Sequence, residues 1–305
     1  MKIGLCGFSR PGHNHHEFLA ALEDINMILY YPHDDLDKHS LVEKGHVFVN
    51  SFDEIFKHNV DAIIIASEDH EHYEHILTAL DYNIPILVDK PMVYYSWQVD
   101  NIINKKQNSQ IFVGYPGRLF STYGKVKSLI QDMQAEDVTG INCRIYAPQV
   151  KDAKNIMKPL HSIASHYIDC LNWLFEKDIT CVQSAIFTEH GTEISGNSTL
   201  LINGKTPVFL SFEVNVSCFP EIAESNISIF TKQGTLVLGR NDFKYISFDK
   251  KPIEEYFEDT KQSNVSIEFV KAVKREPNRL CTLLEESSNV AVFEDIYEKA
   301  KIIEI

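Results

Sequence analysis

The 305-residue sequence predicts two folds in series. The first is an α/β domain on a doubly wound parallel sheet. The second is an α+β domain with a largely antiparallel open sheet and helices. Three observations carry this. Up to Gly117, short apolar runs alternate with helical stretches, the rhythm of βαβ units. A turn bearing two glycines, Gly7-Phe8-Ser9-Arg10-Pro11-Gly12, follows the first run. Beyond Gly117 the rhythm stops and separated strand candidates take over. The expected division is therefore 1–117 and 118–305.

In chain order, Ile3 to Cys6 reads as the first strand and His15 to Leu22 as a helix. Met27 to Tyr31 is the second strand. Ala62 to Ala66 is a continuous apolar run, as expected of a strand buried on both faces. Ser67, Glu68 and Asp69 supply turn and cap chemistry. Tyr73, Ile76, Leu77 and Leu80 then mark one helical face between His70 and Leu80. Ile84 to Val88 forms another strand and delivers Asp89-Lys90-Pro91 at its carboxyl end. Parallel strands joined by a helix align these ends along one edge, where ligands bind in open α/β sheets. Ser96 to Gln107 reads as a helix and Ile111 to Tyr115 as a sixth strand.

In the second half, strands are expected at Thr139 to Tyr146, Val182 to Phe187, Val208 to Val216, Ile227 to Thr231 and Thr235 to Leu238. Helices are expected at Ile163 to Phe175, Val265 to Arg275 and Asn289 to Ile303.

Composition narrows the function. A formal charge of −14 argues against nucleic acid or an anionic membrane as partner, since phosphate binding needs clustered cations. The six cysteines are scattered without a CxxC pair, which suits a reduced protein and neither a disulfide framework nor a zinc site. No apolar stretch approaches the ~20 residues that span a bilayer. A cytoplasmic protein is expected. His13, His15 and His16, then His70, His72 and His75, lack H-x-x-x-H spacing, and Glu74 breaks H-E-x-x-H, so no metal site is expected.

The first turn approximates the dinucleotide fingerprint G-x-G-x-x-G. Gly7 and Gly12 fill the first and third places and Ser9 the second, where it retains a backbone N–H and adds a hydroxyl. Strand two ends at Tyr31 or Pro32 where an acidic residue ordinarily holds the adenosine ribose; Asp34 and Asp35 follow late. No arginine is near to receive a 2′-phosphate. NAD is therefore the expected cofactor, with NADP the alternative should a residue such as Lys38 fold in.

These residues resemble the Gfo/Idh/MocA oxidoreductases. Val60-Asp61 through His72 is similar to V-D-x-V-x-x-x-T-P-x-x-x-H, with Ser67-Glu68 in place of Thr-Pro. Asp89-Lys90-Pro91 matches the Glu-Lys-Pro of the family's V-x-x-E-K-P, and His15 the family's histidine three residues after the last glycine. Gly114-Tyr115-Pro116-Gly117-Arg118 resembles V-G-Y-x-x-R, and Lys232-Gln233-Gly234 a G-T-K-G-like hairpin. The resemblance implies a nicotinamide-dependent dehydrogenase or reductase acting on sugars or cyclitols. It implies a cofactor site at Gly7, Phe8, Ser9, Gly12, Ser67, Glu68, His72, Asp89 and Lys90, with Lys90 beside the reacting carbon. It also implies a homodimer or homotetramer through the open sheet face.

Hydride transfer further needs a proton donor. The family's D-x-x-x-H is matched by Ser162-Ile163-Ala164-Ser165-His166, with Asp169 following. Ser162 and His166 are one helical turn apart and share a face. His166 is the expected general acid/base, with Ser162 where relatives carry aspartate and with Lys158 and His161 just upstream. Ser162 also leaves open a non-catalytic ligand-binding homologue.

Overall fold

A computed structural model describes residues 1–7, 10–31, 46–132, 137–148, 158–220, 223–239, 242–248, 253–256 and 264–305. They fall into two compact units. The first joins Met1–Tyr115 to Gln262–Ser287, and the second joins Pro116–Lys261 to Ser288–Ile305.

The first unit is a parallel sheet. Its strands are β1 (Lys2–Cys6), β2 (Asn26–Tyr30), β3 (Val47–Val49), β4 (Ala62–Ile65), β5 (Ile86–Asp89) and β6 (Ile111–Gly114). They lie in the order β6-β5-β4-β1-β2-β3, with Cys281–Thr282 added antiparallel on β6. The helices between them are α1 (Arg10–Ala20), α2 (Phe52–Phe56), α3 (His72–Leu80) and α4 (Ser96–Lys105). The order reverses between β1 and β4, which creates the topological switch point. β4 is Ala-Ile-Ile-Ile, fully buried because helices cover both faces.

Several local outcomes differ from expectation. β3 and α2 are three and five residues long, too short to show a period. α1 starts at Arg10 because Pro11 and Gly12 are tolerated in a first turn, where the backbone N–H groups lack intrahelical partners anyway. β5 runs through Asp89, which pairs with Gly114, so the carboxylate leaves from strand backbone.

A split at 1–117 and 118–305 misses the exchange of chain segments. Residues 262–287 return to the first unit because helix Val265–Val273 packs on α1 and Cys281 pairs with Val113 of β6. Tyr115 then donates to Glu286 within the same unit, at 3.1 Å.

The second unit contains β7 (Val138–Pro148), β8 (Ile179–Glu189), β9 (Thr192–Ile202), β10 (Val208–Cys218), β11 (Ser225–Thr231), β12 (Gly234–Leu238), β13 (Asp242–Ser247) and β14 (Ile253–Tyr256). Their order is β14-β13-β12-β11-β7-β10-β9-β8, with Ala300–Glu304 at the far edge. The pairing is antiparallel except between β7 and β10 and between β8 and Ala300–Glu304. Helices α5 (Ser121–Asp132) and α6 (Pro159–Phe175) belong here.

The long helix expected at the carboxyl end stops at Glu298. Ile302 and Ile303 of Ala300–Glu304 are β-branched, and the partner strand β8 makes extended backbone the better-satisfied choice. The core lies on one face, where Ile141, Cys143, Ile145, Leu210, Phe212 and Val214 meet Ala164, Ile168 and Leu171 of α6. The other face bears Phe209 and Phe230, 62% and 42% exposed, with Phe230 in register with Gly140. Among the described residues, no helix is long and apolar enough to cross a membrane.

Candidate functional site

The switch point lies where β1 and β4 end. Ala66 N donates to Cys6 O at 2.7 Å, and Gly7 N to Tyr30 O at 2.9 Å, so the turn after β1 is tied to both neighbouring strands. Gly7 has φ +92°, and a Cβ there would lie 2.1 Å from the Ala66 carbonyl oxygen. A Cβ on Gly12 would lie 2.3 Å from the Gly7 carbonyl oxygen. Both glycines are thus required by close backbone approach, as a phosphate-holding turn at a helix start demands. Gly7→Ala is expected to destabilise the first unit by about 1–3 kcal/mol, the cost of a strained backbone conformation. Thermal unfolding would read it, and NADH affinity should fall with it. Phe8 and Ser9 lie outside the described residues, as do Asp34, Asp35 and Lys38.

The loop after β4 is joined to the one after β5 by a buried imidazole. His72 Nδ1 is 2.9 Å from the Pro91 carbonyl oxygen, and Nε2 is 3.0 Å from that of Ser67. Both partners only accept, so the ring donates to them through whichever nitrogen carries a proton and lies between the two loops. Glu68 is exposed and takes part in a capping box, its N–H donating to Glu71 at 3.3 Å. Ser67 Oγ lies 2.9 Å from His75 Nδ1. Burial lowers the His75 pKa, which favours a neutral ring that accepts the Ser67 proton.

Lys90 sits half-buried at the end of β5. Burial is the largest effect on it and pulls its pKa below that of an ordinary lysine; the Asp69 and Asp89 carboxylates oppose this. Asp69 accepts from Tyr94 Oη at 3.1 Å. Asp89 Oδ1 is 3.0 Å from His15 Nε2, and His15 Nδ1 is 2.8 Å from Ser266 Oγ. Asp89 Oδ2 is buried and, among the described residues, has no hydrogen-bond donor.

The first unit thus brings Gly7, Gly12, Ser67, His72, Asp89 and Lys90 to a single edge, the strand carboxyl ends. Asp69, Tyr94, His75 and Ser266 join them, though none reads from the sequence as a residue of this site. The first three carry no spacing signal, and Ser266 arrives from a segment 251 residues beyond His15.

In the second unit, Ser162 and His166 lie on α6, the first buried and the second half-buried. Asp169 is fully buried and engaged by Arg118, with Nη2 at 2.7 Å from Oδ1 and Nε at 2.9 Å from Oδ2. Asn289 donates to the same carboxylate at 3.1 Å, and Asn172 donates to Asn289 at 2.7 Å. His161 stacks on Phe293 with centroids 3.9 Å apart. Lys158 Nζ lies over the Tyr297 ring at 4.1 Å, and Glu193 accepts from Leu160 N and Tyr297 Oη. Burial lowers the Lys158 pKa and raises that of Glu193. Among the described residues, no group of three His, Cys, Asp or Glu could hold a metal.

Residues 1–115 match the family model described as an oxidoreductase family with an NAD-binding Rossmann fold, GFO_IDH_MocA. Through these residues the chain is similar to the Gfo/Idh/MocA oxidoreductases. An inositol 2-dehydrogenase/D-chiro-inositol 3-dehydrogenase of Halalkalibacterium halodurans is 24% identical to this chain over 166 residues. That match covers 52% of this chain and 48% of the relative. Inositol 2-dehydrogenase 3 of Saccharopolyspora erythraea is 24% identical over 60% of this chain and 56% of its own length. The chain spans about half the length of these curated relatives.

Among solved structures, the fold is similar to KijD10, a 3-ketoreductase from Actinomadura kijaniata in complex with NADP and TDP-benzene. The TM-score is 0.85 and the identity 14%, over 100% of this chain and 99% of that one. The WlbA dehydrogenase from Bordetella pertussis, in complex with NADH and UDP-GlcNAcA, gives a TM-score of 0.80 at 16% identity, covering 98% and 96%. These two likenesses extend the similarity in fold over the second unit as well.

Proposed function

We propose that the protein is an NAD(P)-dependent oxidoreductase that transfers a hydride between a nicotinamide and a carbonyl or hydroxyl carbon of a sugar- or cyclitol-like substrate. The observation that carries this reading is Lys90 at the carboxyl end of β5, on the edge that also holds the Gly7–Gly12 turn. Gly7 and Gly12 leave no room for a Cβ, and the buried Asp89 Oδ2 lacks a donor among the described residues. Such a set fits a dinucleotide. When bound, that group supplies the hydride acceptor or donor.

The chain's own residues supply the rest. The Gly7 turn and the start of α1 hold phosphate through backbone N–H groups. The Lys90 ammonium stabilises charge developing on the substrate oxygen. His166 gives or takes the accompanying proton. Ser162 hydrogen-bonds where a carboxylate would otherwise favour the protonated imidazole.

The test is a fluorescence titration of the purified protein with NADH and NADPH, followed by turnover assays on polyols, cyclitols and sugar-nucleotide ketones. NADH is expected to bind more tightly, because no arginine follows β2 in the sequence. Tighter NADPH binding would refute that preference. Ser162 favours a second reading, a ligand-binding homologue without catalysis. NADH binding without turnover across the panel would support it and sink the first.

A homo-oligomer through the outer sheet face belongs to the same proposal. Its support is the exposure of Phe209 and Phe230 on that face. Phe209→Glu combined with Phe230→Glu should lower the mass seen in sedimentation to that of one chain. An unchanged sedimentation coefficient would exclude this face.

A further inference from the structure

Three polar side chains from distant parts of the first unit form one continuous line, Ser266–His15–Asp89. Asn264 begins helix Val265–Val273 and accepts Ser266 N on its side-chain oxygen at 2.7 Å. Ser266 is wholly buried, and its hydroxyl makes its hydrogen bond to His15 Nδ1. His15 is 6% exposed and spends its other nitrogen on Asp89 Oδ1. On the far side Gly114 lies close, since a Cβ there would be 3.0 Å from that oxygen. Among the described residues Asp89 Oδ2 has no donor, so there the carboxylate is held through Oδ1. Burying three polar groups in a row contributes little net stability. Their order, ending one residue before Lys90, points to another purpose.

We propose that His15 is a positioning residue for Lys90: the Ser266 hydroxyl donates to Nδ1, which places the ring proton on Nε2, and that N–H fixes the orientation of the carboxylate of Asp89, the residue before Lys90. The inference rests on Lys90 being the charge-stabilising group. The charged groups facing Lys90 are Asp69, from the turn after β4, and Asp89. Asp69 is held separately by Tyr94, so it remains when the His15 line is cut. Glu268 does not enter, because it accepts from Lys271 at 2.6 Å and from Arg279 N at 2.8 Å.

Without that hydrogen bond the Asp89 carboxylate can turn away from Lys90. With Asp89 turned away, the desolvation already acting on Lys90 is opposed chiefly by Asp69. The Lys90 titration should therefore move down.

Competitive acetylation of the cofactor-free protein with acetic anhydride, read at Lys90 by mass spectrometry across pH, measures that titration without any turnover. His15→Ala and Asp89→Asn should each lower the Lys90 midpoint by about one unit, the low end of what one opposite charge contributes. His15→Gln, whose amide retains a donor near the Nε2 position, should restore the wild-type midpoint, and Ser266→Ala should shift it less than His15→Ala. An unchanged or raised midpoint in His15→Ala would overturn the proposal. So would a lowered midpoint in His15→Gln equal to that of His15→Ala, because that would mark general damage. A lowered midpoint in protein that binds no NADH would uphold the positioning role and refute the oxidoreductase reading separately.

Discussion

Lys90→Ala is expected to lower kcat by roughly 10²–10³-fold while leaving NADH affinity nearly unchanged, as for removal of a donor that acts on transition-state charge. His166→Ala should cost roughly 10²–10⁴-fold, the usual range for one acid/base group. The pH profile supplies an independent check. Only the ammonium form of Lys90 stabilises a developing oxyanion, and burial lowers the Lys90 pKa. Activity should therefore fall on the alkaline side at a pH below that of an ordinary lysine, as the proton leaves. The substrate-saturated rate against pH, with and without Lys90→Arg, tests the sign. Arginine stays charged, so its residual activity should lose this alkaline limb. Equal loss of kcat and of NADH affinity in Lys90→Ala would instead make Lys90 a cofactor-binding residue.

The largest expected effect on stability lies in the second unit. Asp169→Ala removes the carboxylate from a guanidinium that is 2% exposed and bonded to it at 2.7 Å. A buried charge without its partner costs about 3–5 kcal/mol. The denaturation midpoint of the second unit should fall accordingly. Arg118→Met with Asp169→Leu removes both charges and should recover most of that loss, because neither is then left unpaired. If the double variant is as unstable as Asp169→Ala, then packing volume and not charge explains the site. Asn289 also donates to Asp169, so Asn289→Ala should weaken the unit less, by about 1–3 kcal/mol.

The Arg118–Asp169 pair changes how α6 is read. From the sequence, Asp169 belongs to a string of candidate site residues around His166. Its carboxylate is instead engaged in a buried ion pair, an assignment no spacing could reveal, since the partner lies 51 positions earlier. Ser162 and His166 keep their shared helical face because that depends only on the 3.6-residue period.

What the sequence determined by itself is local and periodic. The apolar runs Ile3 to Cys6, Ala62 to Ala66 and Ile111 to Tyr115, with helical stretches between them, specify parallel strands buried on both faces. Parallel topology then sends Gly7, Ser67 and Lys90 to one edge, because all three follow their strands. The glycines of the first turn and the helical spacing of α3 are legible for the same reason: a backbone requirement or a repeat leaves its mark within a few residues.

Tertiary structure alone decided what depends on distant partners. Lys-Ile-Ile-Glu-Ile at the carboxyl end suits a helix continuation or a strand until β8 offers a hydrogen-bonding edge. Residues 262–287 belong to the first unit because α1 and β6 offer them surfaces to cover. Ser266 meets His15, and Arg118 meets Asp169, because a buried polar group must find its hydrogen-bond partner wherever packing brings one. Sequence separation does not enter that requirement, so no pattern along the chain records its solution.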